Sequence, residues 1–299
     1  MSKQDSTTDG SAEMGGVPSW YREIFPAGPN RGFFHNLGDH SAVFVDRGRG
    51  QLVVSFDNLA EAGGHRYDRE AWAAKFCADR EWSHLGIFAQ PPSWFRDMEL
   101  ITFLEGLRDA GFFKRFERVA FCGTSMGGFG ALTFSSLAPG CTVVAFSPQT
   151  TLARDKAGWD RRFRKGMRQD WSLPYSDAAD HAAAAEQIYL VYDSFLELDR
   201  RQAQRLDPAN VVTLRAFGLG HKSALVLRRM DRLKQVMEQA ITGQLTQERF
   251  YKLIRNRKDV YLYRKTMEDY LRQRGRDELA GRLARAFKNR RKKQRAERA

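Results

Sequence analysis

The amino-acid sequence predicts an α/β protein: a mostly parallel sheet with helices on both faces, followed by a basic helical C-terminal appendage. Short apolar runs alternate with segments whose apolar residues recur at helical spacing, which is typical of such a sheet. A length of 299 residues, 42% of them hydrophobic, suits one large domain with an appendage. Of the net charge of +13, residues 244–299 carry +12, with 19 Lys or Arg against 7 Asp or Glu, so the basic character belongs to the appendage.

The sheet is predicted to begin after a polar N-terminal segment. Residues 1–19 are rich in Gly, Ser and Thr, and we expect them to be disordered. Two apolar runs, 41–46 and 51–56, flank a turn with two glycines and predict a hairpin. A third strand is predicted over 85–90, and the helical spacing of apolar residues predicts a helix over 96–110.

The body of the protein, residues 20–243, continues with strands interrupted by one excursion. The strand predicted over 141–147 is followed by residues 149–187, which are rich in Arg, Lys and Trp. This excursion is either a cap over a site or a solvated helix and loop, and the sequence leaves both open. The strand pattern resumes at 188–193 and again at 210–217.

The stretch over residues 119–132 has the chemistry of a nucleophile elbow. A short apolar strand leads into Gly-Thr-Ser-Met-Gly and then into a helix-compatible segment, which is G-x-S-x-G in strand–turn–helix context. A sharp turn would expose Ser125 above the sheet edge and strain its backbone, so Gly123 and Gly127 must be small. The start of the following helix directs free N–H groups at the same point.

This stretch, with its Ser-Met-Gly-Gly core, resembles the elbow of α/β-hydrolase-fold serine hydrolases, and the resemblance covers roughly residues 40–240. It implies the α/β-hydrolase fold and a nucleophile at Ser125. It also implies an acid and then a histidine further along the chain, in that order.

The base and its orienting acid are predicted from their places after strands. Of six histidines, only His221 lies just beyond a strand, after the elbow and in a glycine-flanked loop. The acid should follow the strand between elbow and histidine, and we prefer Asp193 because it ends that strand. Asp199 competes, although a carboxylate there also suits the first turn of a helix, and Glu197 is a weaker candidate.

The oxyanion of a tetrahedral intermediate needs hydrogen-bond donors. The backbone N–H of Met126, directly after the nucleophile, is one. The second should come from the loop after an early strand, here the backbone of Asn58 or Leu59. Many members of the family have His-Gly at this place, whereas this chain has Asp57 before Asn58. A carboxylate beside an oxyanion is unfavourable, so Asp57 should point away or be paired with a cation.

These residues predict a serine hydrolase that cleaves an ester or thioester through an acyl-enzyme on Ser125, with no cofactor and no metal. The expected substrate is a small-molecule, glycan or lipid ester. One alternative is an acyltransferase that uses the same triad. The other is a non-catalytic, hydrolase-like binding or assembly module that acts through its basic C-terminal helices.

The appendage, residues 244–299, predicts two or three basic amphipathic helices. Its end, residues 288–298, could bind a polyanion or an anionic membrane surface, or the apolar side of the helices could simply dock on the body. The sequence contains no run of about 18 apolar residues, so a transmembrane helix is not expected. Residues 1–16 lack the apolar centre of a signal peptide. A cytoplasmic location is therefore expected.

Overall fold

An eight-stranded sheet organises the chain in the computed structural model, which describes residues 18–60, 62, 69–206 and 209–296, without the side chains of 294 and 295. Disorder is expected over residues 1–19, and of these, residues 1–17 lie outside the described part. The strands are β1 Gly32–Leu37, β2 His40–Val45, β3 Gln51–Phe56, β4 Ser83–Ala89, β5 Arg118–Thr124, β6 Thr142–Phe146, β7 Gln187–Tyr192 and β8 Val211–Arg215.

The sheet order is β1-β2-β4-β3-β5-β6-β7-β8. Strand β2 is antiparallel to both of its neighbours, and all strands from β4 and β3 to β8 run parallel. The helices are α1 Ser19–Glu23, α2 Ala74–Ala78, α3 Met98–Asp109, α4 Met126–Thr133, α5 Arg154–Ala157, α6 Glu197–Ala203, α7 Ser223–Arg229, α8 Leu233–Ile241, α9 Gln247–Leu253, α10 Tyr261–Gln273 and α11 Asp277–Ala296. The predicted fold class is confirmed.

The predicted hairpin of residues 41–46 and 51–56 is wrong, because β4 lies between β2 and β3. The connection from β2 to β3 passes the start of β4. There the Arg47 side chain donates a hydrogen bond to the Trp82 carbonyl at 3.1 Å, and its backbone N–H donates to Ser83 Oγ at 2.8 Å. The short glycine-containing connection can therefore join β2 to β3 although β4 lies between these two strands.

The sheet separates two apolar layers, as parallel strands buried on both faces require. Every residue of β3 is buried, and successive positions serve opposite layers. Val54 packs in the layer that contains α3 and α4, whereas Val53 packs with α2, α7 and α8. Helices on both faces therefore fix the sheet whose carboxyl edge holds the elbow.

The appendage docks on the body. Phe250 of α9 is fully buried, and Ile254 just after it is nearly so, in the same core cluster as α8. Helix α10 packs on the loop after β8: a Cβ on Gly218 would lie 2.5 Å from Tyr263 Cε2, and one on Gly220 would lie 3.1 Å from Thr266 Oγ1. Of the alternatives for the appendage, docking on the body is therefore the arrangement of α9 and α10.

Helix α11 packs on α10 through its first part only. Ala280 and Phe287 are its buried apolar residues, and Arg264 of α10 lies over the Phe287 ring at 5.3 Å. The helix continues to Ala296, so the basic run after Phe287 is helical in the described part. No helix of the described residues combines the length and apolar character needed to cross a bilayer.

A chain truncated after Gly243 is expected to lose its cooperative fold. The cut removes the fully buried Phe250 and the nearly buried Ile254, and each such side chain contributes roughly 1.5–3 kcal/mol by burial. Their sum is a large part of the roughly 5–15 kcal/mol that stabilises a typical protein. Circular dichroism melts with a dye that binds exposed apolar surface measure the effect. A chain lacking only residues 290–299 is the control, and a stable, cooperative protein ending at Gly243 would contradict the expectation.

Candidate active site

Ser125 stands on a strained turn between β5 and α4. Its backbone has φ 54° and ψ −114°, a region that residues with a side chain seldom adopt. Ser125 keeps this conformation because the backbone segments on either side of it are closely packed. A Cβ on Gly123 would lie 2.1 Å from the Gly127 carbonyl oxygen, and one on Gly127 would lie 2.3 Å from that of Phe56. The two glycines of the motif are therefore required by close approach of the backbone.

His221 connects this serine to a carboxylate. It lies in the loop between β8 and α7, with Nε2 2.9 Å from Ser125 Oγ. Its Nδ1 is 3.0 Å from both carboxylate oxygens of Asp199, a residue of the first turn of α6 that is 1% exposed. A proton on Nδ1 would be donated to Asp199, which leaves Nε2 to accept the serine proton.

The structure differs from the sequence prediction at the acid, because Asp193 does not contact His221 through any described hydrogen bond. Its Oδ1 accepts from the Phe195 N–H at 3.0 Å, and its Oδ2 accepts from the Gly220 N–H at 2.8 Å. Burial raises the pKa of Asp193, and these backbone donors oppose the rise. Asp193 thus fixes the turn after β7 to the loop of His221, while the side chain that reaches the ring comes six residues later.

Asp199 has a second partner from the excursion between β6 and β7. Arg162 Nη1 donates to Asp199 Oδ1 at 2.6 Å, and the other edge of the guanidinium clamps Asp160 with two hydrogen bonds of 2.8 Å. Burial opposes ionisation of Asp160, but Arg162 and Gln202 hold the pKa of this carboxyl below its usual range. The charge of the excursion is visible in the sequence, but no spacing pattern identifies Arg162 as the partner of Asp199.

Gln149 is a further polar contact of Ser125 that sequence reasoning missed. Its amide Nε2 donates to Ser125 Oγ at 3.3 Å, and its Oε1 accepts from the Trp94 indole N–H at 3.0 Å. The side chain is fully buried. A donor on the serine oxygen leaves the serine proton for His221, so Gln149 favours the orientation in which the hydroxyl donates to His221 Nε2.

The predicted oxyanion donors lie around the same point. Met126 begins α4 directly after Ser125, and Asn58 and Leu59 line the same cavity as Ser125 and His221. The end of β3 is close to the elbow, because a Cβ on Gly127 would lie 2.7 Å from the carbonyl oxygen of residue 57. The backbone of residues 58 and 59 therefore begins close to the elbow.

Asp57 is paired, as the sequence analysis required. Arg69 Nη1 donates to its Oδ1 at 2.9 Å and Nη2 to its Oδ2 at 2.5 Å, and the Ala89 N–H donates to Oδ2 at 2.8 Å. Burial raises the pKa of this fully buried carboxyl, and the bonds from Arg69 oppose the rise. The carboxylate is therefore occupied by its own cation.

A cavity of about 470 Å³ opens at Ser125 and His221. This volume suits a small organic ligand. Phe163 of the excursion forms part of the wall, and its ring centre lies 5.6 Å from both the His221 ring and the Trp94 ring. The other lining residues are Asn58, Leu59, Ala60, Trp72, Thr124, Lys222, Ala224, Leu225, Arg228 and Leu233.

The chain has the α/β-hydrolase fold. The sheet order, the elbow after β5, the carboxylate after β7 and the histidine after β8 together establish it. No protein-family model and no curated protein matches the sequence.

Solved structures of similar fold include three proteins of low sequence identity. The capsule O-acetyltransferase of Neisseria meningitidis serogroup A is 12% identical, and 69% of this chain matches 93% of that one at a TM-score of 0.46. MPT51 of Mycobacterium tuberculosis is 15% identical, with 74% and 100% covered and a TM-score of 0.47. An esterase of Pyrococcus furiosus is 14% identical, with 71% and 91% covered and a TM-score of 0.44.

Proposed function

We propose that the protein is a serine hydrolase that cleaves an ester or thioester through an acyl-enzyme on Ser125. The observation that carries the proposal is the unbroken hydrogen-bond chain from Asp199 through His221 to Ser125. A nucleophile, a base in contact with it and an acid that orients the base are the parts that acyl transfer requires. The same chain of contacts supports an enzyme over a non-catalytic binding module.

Each residue has one role in the proposed mechanism. His221 Nε2 takes the proton of Ser125 as Oγ attacks the acyl carbon, and Asp199 stabilises the imidazolium that forms. The N–H of Met126, with that of Asn58 or Leu59, stabilises the negative oxygen of the intermediate. The imidazolium returns its proton to the leaving alcohol or thiol, and water then cleaves the acyl-enzyme by the same steps.

We also propose that residues 149–187 act as a partial cap. Two neighbouring residues of this segment reach the site: Arg162 binds Asp199, and Phe163 packs on His221 and lines the cavity. A cover of this kind would limit access of water to the acyl-enzyme. If it excludes water well enough, a hydroxyl of a second substrate would accept the acyl group, which is the acyltransferase alternative.

Labelling with a fluorophosphonate, followed by turnover of p-nitrophenyl esters of increasing acyl length, tests the proposal. We expect one added phosphonyl group on the peptide that contains Ser125, and release of p-nitrophenol that labelling stops. Addition of glycerol during turnover measures how the acyl group divides between water and an alcohol. A protein that neither labels nor hydrolyses any ester of the series would refute the hydrolase proposal.

For the end of the appendage we keep the proposal of a polyanion-binding surface. Beyond Phe287, the described side chains of α11 are exposed up to Lys293. Residues 290–299 hold six Lys or Arg and one acidic residue. Arg290 pairs with Asp259, and Arg291 lies over the Phe287 ring at 5.8 Å. Exposed charges of one sign attract a polyanion, and salt weakens the attraction.

Deletion of residues 290–299 is expected to lower the salt concentration at which the protein elutes from heparin. Turnover of a neutral p-nitrophenyl ester should stay unchanged, because the deleted residues follow the part of α11 that packs on α10. Chromatography of both chains on heparin and sedimentation with vesicles that contain anionic lipid measure the effect. Equal elution and equal vesicle binding of the two chains would remove the proposal.

A further inference from the structure

Two cations on the wall of the active-site cavity have no role in the mechanism above. Lys222 and Arg228 both line the cavity that contains Ser125 and His221. Both side chains are exposed, and neither forms a hydrogen bond or ion pair with any residue that the structure describes. Other cations near the site are engaged, as Arg162 is with Asp160 and Asp199. The pair is therefore available to a ligand.

The rest of the described cavity wall contains no acidic residue to balance these charges. It is mostly apolar, with Leu59, Trp72, Phe163, Ala224, Leu225 and Leu233. Apolar walls lower the local dielectric and strengthen the attraction between a cation and an anion inside them. A neutral substrate would leave these two exposed charges to water alone.

The two cations follow His221 at different distances along the loop and α7. Lys222 directly follows His221, so their Cα atoms are about 3.8 Å apart. Arg228 lies on α7, and at about 1.5 Å per residue its Cα is roughly 9 Å further along the helix. Both line the same cavity, so an anionic group of a small ester that enters it meets both cations.

A purely structural role does not account for Arg228. A cation in the last turn of a helix complements the helix dipole, and Arg228 is in the last turn of α7. Its neighbour Arg229 is in the same turn, is exposed and does not line the cavity. The dipole is therefore served by Arg229 as well, and the side chain that faces the cavity is the additional one.

We propose that the ester cleaved at Ser125 carries a negatively charged group, a carboxylate or phosphate, that Lys222 and Arg228 bind. This inference rests on the proposed function, since it assigns the substrate class of the same site. The anionic group would orient the ester in the cavity and raise its local concentration. The chemistry of the reacting bond is unchanged, because the anion is a part of the substrate that does not react.

Two matched pairs of esters test the proposal. One pair differs in the acyl group, the mono-p-nitrophenyl ester of octanedioic acid against p-nitrophenyl octanoate. The other differs in the leaving group, 4-acetoxybenzoate against its methyl ester. For each pair the ratio of kcat/KM, anionic over neutral, is measured in the wild type, in Lys222→Gln/Arg228→Gln and in Arg229→Gln. Comparing ratios between variants cancels the intrinsic reactivity of the esters.

We expect the ratio for at least one pair to fall about 10- to 100-fold in the double variant, as loss of hydrogen bonds to a charged group implies. The ratio in Arg229→Gln should equal that of the wild type, and raising the salt concentration should lower the wild-type ratio. Ratios that are equal in the wild type and the double variant for both pairs would overturn the inference while leaving the proposed function intact.

If the wild type hydrolyses none of the four esters, no turnover ratio can be formed, and equilibrium binding decides the anion site, while fluorophosphonate labelling and the p-nitrophenyl series still decide the proposed function. Calorimetric titration with octanedioate then replaces turnover. Binding to the wild type that weakens about tenfold or more in the double variant, but not in Arg229→Gln, supports the anion site. Equal binding to all three proteins, or no binding, overturns it.

Discussion

Replacement of Ser125 by alanine is expected to lower kcat for a p-nitrophenyl ester on the order of 10⁶-fold, by analogy with the loss of a catalytic serine elsewhere. The reason is that the acyl-enzyme requires an oxygen at the point where the elbow meets His221 Nε2, at 2.9 Å. The Asp199–His221 contact and the cavity remain in the variant but have no nucleophile to activate. Fluorophosphonate labelling should be lost together with turnover.

Ser147→Ala is a matched control for this change. Ser147 also has a positive φ, 44°, and it is a fully buried serine that lies just after β6 at the same sheet edge. Its hydroxyl is 3.1 Å from that of Ser223 and is not part of the proposed chain of proton transfer. Labelling that persists in Ser125→Ala, or equal losses of turnover in the two folded variants, would contradict the proposed role of Ser125.

The parts of the site that sequence could predict are those fixed by local pattern. The elbow is encoded within residues 118–133, where a strand, a turn with small residues and a helix follow each other directly. His221 could be chosen because the carboxyl ends of parallel strands meet at one sheet edge, and only one histidine follows a suitable strand. Both inferences need the order of elements but no distance between them.

The parts that sequence could not predict depend on contacts between distant segments. Gln149 and Arg162 reach Ser125 and Asp199 only after the excursion has folded over the sheet edge. The insertion of β4 between β2 and β3 likewise depends on pairing across the chain. Helical spacing predicted the helices of the appendage, but an amphipathic pattern does not state which surface its apolar side covers.

The choice between Asp193 and Asp199 shows the same limit at the scale of one turn. Both follow β7, and both carboxylates are buried. Position at the end of a strand favoured Asp193, yet the first turn of α6 returns toward the site and brings Asp199 to the His221 ring. The N–H groups of Phe195 and Gly220 take both oxygens of Asp193. Six residues of loop and helix decide which carboxylate faces His221.

Asp199→Asn is accordingly expected to lower kcat on the order of 10⁴-fold, by analogy with the same change in a known triad. An asparagine amide can donate to His221 Nδ1 and so favour the tautomer that carries its proton on Nε2, which cannot accept the serine proton. Labelling by fluorophosphonate should become slow but not vanish, because Ser125 is still present. The buried ion pair with Arg162 is also lost, so the thermal midpoint should be recorded with the kinetics.

Asp193→Asn should affect the stability of the protein more than its turnover. Its carboxylate accepts two backbone N–H groups, and an amide can present an acceptor to only one of them. A buried donor left unpaired costs about 1–3 kcal/mol, which lowers the thermal midpoint by roughly 2–4 °C for each kcal/mol in a chain of about this size. Turnover should fall far less than in Asp199→Asn, since the contact of Asp199 with His221 persists. If Asp193→Asn instead loses more turnover at an unchanged midpoint, the orienting acid is Asp193 and not Asp199.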